Sequence, residues 1–169
     1  PLQLVRYISA IGNGGTLVSP HIVRVARDKV TGQHVDLEDR STSQVNINPR
    51  YFELVKEGMK RVINETSYWL QIPGVESAGK TGTAQNSRGE DDSVFVMFAP
   101  VDNPRIAIAA LVENAGYGST SAGPIASLVA ELYLNGEIAP SRQEWIRRII
   151  EDTRSAPIPG ARTLTQAGQ

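Results

Sequence analysis

Apolar residues follow two different periods along this chain, and the switch between them outlines the fold. From Val75 to Glu113, short β-compatible runs alternate with polar, turn-rich links. Strands are predicted over Val75–Ala84, Ser93–Ala99 and Ile106–Glu113, separated by turns at Asn86–Asp92 and Pro100–Pro104. Links this short predict an antiparallel meander. Elsewhere the spacing is helical. Leu2, Leu4, Val5, Ile8 and Ile11 mark one helix, closed by the Gly12–Gly15 cluster. Leu54, Val55, Met59 and Val62 mark a second over Tyr51–Ile63, opened by Asn48-Pro49. A third spans Pro124–Leu134, with Ile125, Leu128, Val129 and Leu132 as its apolar face and Asn135-Gly136 as its stop. Leu17–Val35 reads as a hairpin turning at Thr31-Gly32, with Arg24, Arg27, Asp28 and Lys29 outward. Trp145, Ile146, Ile149 and Ile150 mark a last helix within Glu137–Arg154. The predicted class is α+β, an antiparallel sheet with helices packed on it.

Composition narrows the chemistry. The chain has 169 residues, 40% of them hydrophobic, enough for one domain with a real core. A net charge of −1, from 17 basic and 18 acidic residues, gives no electrostatic case for nucleic acid. Cysteine is absent, so disulfides, thiol nucleophiles and cysteine metal sites are excluded together. His21 and His34 are too separated for a histidine metal site, and each is read as structural or surface. Glu90-Asp91-Asp92 reads as a polar turn before a buried strand, with cation binding as the alternative. Met59 reads as core filler, and Ser119, Thr120 and Ser121 as a loop lip with no catalytic role. No cofactor and no metal are expected. Residues 155–169, rich in proline and glycine and poor in apolar side chains, are expected not to order themselves.

One octapeptide has two incompatible readings. Gly74-Val75-Glu76-Ser77-Ala78-Gly79-Lys80-Thr81 satisfies G-x-x-x-x-G-K-[ST], the loop that cradles phosphates in nucleotide hydrolases. Such a loop needs a helix starting at its lysine, so that free N–H groups point at the phosphates. The residues after Thr81 have two glycines, a polar cluster and no helical period, and Glu76 would set an anion beside any phosphate. Read onward, Lys80-Thr81-Gly82-Thr83 contains K-T-G, an element of penicillin-interacting serine enzymes. The extended context fits this second reading. On a sheet edge, Gly82 would let a peptide backbone come close, while Lys80, Thr81 and Thr83 would offer a cation and hydroxyls to its carboxylate.

Further segments make the resemblance specific. Ala78–Gln85, Phe98-Ala99-Pro100 with Asn103-Pro104, Val112-Glu113-Asn114, and at the other end Gly12–Gly15 with Pro20-His21-Ile22-Val23 resemble the C-terminal half of class B penicillin-binding proteins. Within them the chain is similar to the penicillin-binding protein 2 branch. The match runs over residues 1–136, taken as the C-terminal part of a transpeptidase domain. Residues 137–154 are taken as a helical extension. The family's nucleophile motif S-x-x-K and its S-x-N both precede K-T-G. This chain has no S-x-N, and its only S-x-x-K, Ser77–Lys80, overlaps the K-T-G lysine. Ser77 is therefore read as an ordinary strand serine, and the chain as a piece beginning after S-x-N.

The resemblance implies a serine D-Ala-D-Ala transpeptidase that cross-links peptidoglycan stem peptides during elongation and binds β-lactams. Lys80 and Thr83 would take part in catalysis, and Lys80, Thr81, Gly82 and Thr83 in substrate binding. The Thr83 N–H would form half of the oxyanion hole. It further implies a periplasmic domain anchored to the bacterial inner membrane, elongation-machinery membrane proteins as partners, and an N-terminal half of the domain that completes the site. The piece alone is expected to be inactive and to expose apolar surface. A non-catalytic β-lactam sensor or scaffold module of the same fold is the alternative within the family. The residues upstream of Pro1 distinguish the two.

Overall fold

The elements, in chain order, are α1 (Leu2–Gly12), four short strands β1 (Thr16–Val18), β2 (Val25–Arg27), β3 (His34–Asp36) and β4 (Thr42–Gln44), α2 (Pro49–Arg61), β5 (Ala78–Ala84), β6 (Asp92–Ala99), β7 (Ile106–Val112), α3 (Ala122–Asn135) and α4 (Gln143–Ser155). This computed structural model describes residues 1–36, 41–87 and 89–155. A π-helical turn, Val62–Thr66, and a 3₁₀ turn, Tyr68–Leu70, lie between α2 and β5; a second 3₁₀ turn, Pro140–Arg142, precedes α4. Strands β5, β6 and β7 form one antiparallel sheet with β6 in the centre. No helix among the described residues is long and apolar enough to cross a membrane.

Strand β6 is central because both of its faces are apolar. Phe95, Met97 and Ala99 point to one face, where Ile63, Leu70, Ile72 and the α3 alanines Ala122, Ala126 and Ala130 pack against them. Val96 and Phe98 point to the other, against Ile8 and Ile11 of α1, Met59 of α2 and Ala78 of β5. The sheet is thus covered by α3 on one side and α1 on the other, a layered α+β arrangement. Close approach needs small residues. A Cβ on Gly12 would lie 3.0 Å from the Phe98 ring. Gly136, at φ 79°, ends α3 in the left-handed conformation that glycine adopts without a Cβ penalty.

Several boundaries and faces differ from the sequence reading. The first strand begins at Ala78, not Val75, because Pro73-Gly74 makes a tight turn that pairs Ile72 with Val75. The Leu17–Val35 hairpin is two separate pairings. Its inner part, β2 with β3, turns at Asp28–Gln33, whereas Leu17 pairs with Ser43 in β4. On α2 the buried residues are Phe52 and Met59, while Leu54 and Val55 are exposed. On α3 the face against the sheet is the alanine row, and Val129 and Leu132 are about half exposed. Met59 does fill the core, and His34 is on the surface. His21 lies 3.4 Å from the Ser19 carbonyl through Nδ1. The expectation for the C-terminal tail lies outside the described residues from 156 onward.

The C-terminal extension is tied down by a buried ion pair. Glu131 is fully buried; its Oε2 accepts from Arg142 Nη1 at 3.0 Å and its Oε1 from the Ala139 N–H at 3.0 Å. Arg142 also donates to Ser127 Oγ at 2.5 Å. Burial pulls the Arg142 guanidinium below its ordinary value, and Glu131 opposes that pull.

Candidate functional site

Lys80, Thr81, Gly82 and Thr83 occupy the middle of β5, the strand at one edge of the sheet. No helix starts at Lys80, so the phosphate-loop reading is overturned: the residues that would have cradled phosphate form a tight turn and the beginning of a strand. Side chains alternate along β5. Lys80 shares the α1 face with Ala78, opposite Val96, while Thr81 and Thr83 lie on the α3 face opposite Phe95 and Ser93. The edge nevertheless brings the two sets together. Lys80 Nζ donates to the Thr81 carbonyl at 2.7 Å and approaches Thr81 Oγ1 at 3.4 Å.

That contact sets the phase of the edge. In an antiparallel strand the N–H and C=O of one residue point the same way, and successive residues alternate. With its carbonyl taken by the ammonium, Thr81 points away from β6, as do Gly79 and Thr83, while Lys80 and Gly82 bond into the ladder. The end of α2 closes the beginning of this edge. Met59 packs beside Ala78 on one face, and a Cβ on Gly79 would meet Phe95 at 2.7 Å and Ile63 at 3.1 Å on the other. What stays open is the stretch from Lys80 to Thr83, where Lys80 and Thr83 are exposed and Thr81 and Gly82 half-buried.

Ser77 is not part of this surface. It is 2% exposed, just before β5, and its Oγ finds no hydrogen-bond partner among the described residues. The acidic turn is occupied with nearby backbone N–H groups. Asp91 Oδ1 accepts from the Asn86 N–H at 3.3 Å, and Asp92 Oδ1 accepts from the Asn114 N–H at 2.9 Å. Asn86 Nδ2 donates to Asn114 Oδ1 at 3.1 Å, so the β5–β6 turn and the end of β7 are locked side by side.

The sequence reading missed the support behind the edge. Ser93, fully buried, donates through Oγ to the Tyr117 carbonyl at 3.0 Å and accepts from the Ala122 N–H at 3.0 Å. Together with Trp69 Nε1 on the Ser119 carbonyl at 3.1 Å, it holds the 115–121 loop against the sheet. Gly118 there lies so close that a Cβ would come within 2.9 Å of the Gly82 nitrogen and 2.6 Å of its oxygen. A glycine-rich loop was the only signal available in one dimension. Ser121 and Thr120 bond to carbonyls of their own loop, Ala115 and Tyr117.

Comparison with known proteins agrees with this geometry. A model of the penicillin binding protein transpeptidase domain matches residues 1–131. The chain is 30% identical to the peptidoglycan D,D-transpeptidase MrdA of Haemophilus influenzae, covering 80% of this chain and 24% of that protein. It is 34% identical to penicillin-binding protein 2A of Bacillus subtilis, covering 66% of this chain and 18% of that one. Among solved structures, an imipenem acyl-enzyme complex of penicillin-binding protein A from M. tuberculosis superposes with a TM-score of 0.70 at 29% identity, over 79% of this chain and 30% of the other. Penicillin-binding protein 2 of Pseudomonas aeruginosa gives 0.64 at 30% identity, over 83% and 31%. The chain thus spans a quarter or less of the two sequence relatives, 24% and 18%, and about a third of the solved chains, 30% and 31%. With a family model matched over most of its length and a K-T-G strand at an open sheet edge, the chain belongs to the penicillin-binding protein transpeptidase family.

Proposed function

We propose that this chain supplies the substrate-docking edge of a peptidoglycan D,D-transpeptidase, with the nucleophilic serine provided by polypeptide outside it. The observation that carries the reading is the outward phase of Thr81 and Thr83 on the open stretch of β5, with the Lys80 ammonium beside them. A stem peptide adds to this edge as an extra strand, its backbone bonding to the outward N–H and C=O groups. Lys80 exchanges the Thr81 carbonyl for the peptide's terminal carboxylate or a neighbouring hydroxyl network, and the Thr81 and Thr83 hydroxyls orient that carboxylate. Gly82 leaves room for the close approach.

The reaction is acyl transfer in two steps. The serine oxygen attacks the carbonyl between the terminal D-alanines, and the C–N bond breaks. D-alanine leaves with a proton, and an ester joins the peptide to the enzyme. An amine of a neighbouring strand then attacks the ester, forms the cross-link and returns the serine. The outward Thr83 N–H is one donor to the developing oxyanion; such a donor contributes roughly 3–4 kcal/mol of transition-state stabilisation. β-Lactams acylate the same serine. The parent works on the periplasmic side of the inner membrane, with elongation-machinery membrane proteins as partners, and this rests on likeness to the penicillin-binding protein 2 branch.

Intact-mass spectrometry with a labelled β-lactam tests the assignment. The parent enzyme should gain one adduct that maps outside residues 1–169, and the 169-residue chain alone should gain none. A stoichiometric adduct on Ser77, or on any serine of this chain, would refute it. For the elongation role, depleting the parent should round rod-shaped cells; unchanged cell shape would remove that role.

A further inference from the structure

The bonds that shape the 115–121 loop converge on one carbonyl. The Tyr117 oxygen accepts from the Thr120 N–H at 3.1 Å and from Thr120 Oγ1 at 2.9 Å, both within the loop. It also accepts from Ser93 Oγ at 3.0 Å, and Ser93 reaches it from β6. The same hydroxyl accepts from the N–H of Ala122, the first residue of α3, at 3.0 Å. Helix α3 has no side-chain cap of its own, since Ser121 at its N-cap bonds back to the Ala115 carbonyl instead. A strand serine therefore caps the helix and, with the same oxygen, holds the loop that leads into it.

The place of Ser93 in the sheet gives these bonds a second consequence. Its register partner on β5 is Thr83, and both side chains lie on the α3 face. Because Thr83 points its backbone groups away from β6, the two form a non-hydrogen-bonded pair, the kind in which facing residues lie closest. One residue along, the loop rests on the strand itself. A Cβ on Gly118 would lie 2.6 Å from the Gly82 oxygen and 2.9 Å from its nitrogen. We propose that Ser93 is a positioning residue for the reaction assigned to the β5 edge, and the proposal rests on that assignment. By fixing the Tyr117 carbonyl and the start of α3, it seats Gly118 on the Gly82–Val94 rung and so aims the outward Thr83 N–H.

Ser93 is fully buried, so it acts through Gly118 and Gly82 and not by touching substrate. Without its hydroxyl, the Tyr117 carbonyl keeps the Thr120 donors, while the Ala122 N–H loses its acceptor. The loop then keeps its own shape and is released from the sheet opposite Thr83. A donor to an oxyanion acts in the transition state, so a shift of Thr83 is read in the rate of acylation and not in binding.

Stopped-flow acylation of the parent enzyme by a chromogenic cephalosporin separates rate from binding. Ser93→Ala should lower the limiting acylation rate about tenfold and leave the dissociation constant of the non-covalent complex within about threefold. Ser93→Cys keeps the volume with a thiol that hydrogen-bonds weakly; it should do the same, and it decides the matter where Ser93→Ala does not fold. Ser127→Ala is the control. It removes an equally buried hydroxyl, one that accepts from Arg142, and should lower the melting temperature while leaving acylation unchanged. A full acylation rate in a folded Ser93 variant overturns the proposal. So does a loss confined to binding, or an equal loss in Ser127→Ala, which would make the effect one of general loosening. Lys80→Ala keeps two failures apart. If it acylates normally, the reading of the β5 edge fails; if it is slow and Ser93→Ala is not, only the role of Ser93 fails.

Discussion

The two edges of the β5–β6–β7 sheet present the same backbone chemistry and opposite side-chain chemistry. Strand β5 offers Lys80, Thr81, Gly82 and Thr83, has its beginning closed by the end of α2, and has an ammonium on one outward carbonyl. Strand β7 offers seven apolar residues and no charge between Arg105 and Glu113. An unpaired edge is a template for whatever extended chain can reach it. The open part of the β5 edge is polar, and the peptide proposed for it carries a carboxylate. The β7 edge, equal in length, is apolar throughout and offers no side chain that could hold a charged ligand. The comparison teaches that side chains decide whether an edge can hold a charged ligand, since the backbone donors are common to both.

The largest effect expected from testing that contrast is at Lys80. In the parent enzyme, Lys80→Ala should slow β-lactam acylation by about 10²–10³-fold, the cost typical of removing one stabilising group from a preorganised site. Its melting temperature should stay unchanged, because Lys80 is exposed and fills no core. Acylation within a few-fold of wild type would mean that the β5 edge owes nothing to its charge. Next comes Gly82→Val. The new Cβ would sit 3.3 Å from that of Val94 and shift the strand beneath the docking peptide. A misplacement of about 1 Å costs about a hundredfold, so this smaller shift should slow acylation by roughly tenfold, read by stopped-flow with a chromogenic cephalosporin. Full activity in this variant would contradict docking along the edge.

Gly79→Ala separates function from packing on the same strand. Its Cβ would lie 2.7 Å from the Phe95 ring, and overpacking of this kind costs about 1–3 kcal/mol, measured as a lower urea midpoint. An unchanged midpoint would show that the closed end of the β5 edge is looser than described. The smallest effect belongs to the other edge. Leu111 is 42% exposed, so Leu111→Lys in the 169-residue chain should change stability by no more than about 0.5 kcal/mol, read as a urea midpoint. A larger loss would show that Leu111 contributes to the core through its exposed edge.

How much was legible in one dimension depended on what each residue contacts. The three strands of the meander were, because β6 is apolar on both faces and flanked by turn residues, and because short links leave antiparallel neighbours as the simplest topology. The third helix was found with its face only partly right, since Leu128 is buried but Val129 and Leu132 are about half exposed. Ile125, Leu128, Val129 and Leu132 dominate a hydrophobicity pattern, yet Ala122, Ala126 and Ala130 are the residues that let α3 settle closely on Phe95 and Met97. Leu54 and Val55 of α2 misled in the same way, since apolar spacing says that a face is covered and not what covers it. The hairpin failed because Leu17 pairs with Ser43, a partner that lies beyond both β2 and β3. Glu131 and Arg142 look like ordinary surface charges until the 3₁₀ turn brings them together at 3.0 Å.

Local chemistry, then, was settled by the sequence itself. K-T-G on an extended segment, the turns around it, the absence of cysteine and the missing S-x-N follow from residue identity and spacing, and backbone sterics act over a few residues. Only the tertiary structure decided which edge of the sheet is open, which groups on it point outward, and that Lys80 reaches round that edge to Thr81. It alone set Gly118 against Gly82 and Ser93 behind the loop, across 36 and 24 residues of chain respectively. The physical reason is that these relations are fixed by packing between segments distant in sequence, where burial and ladder pairing outweigh any preference that a single segment carries.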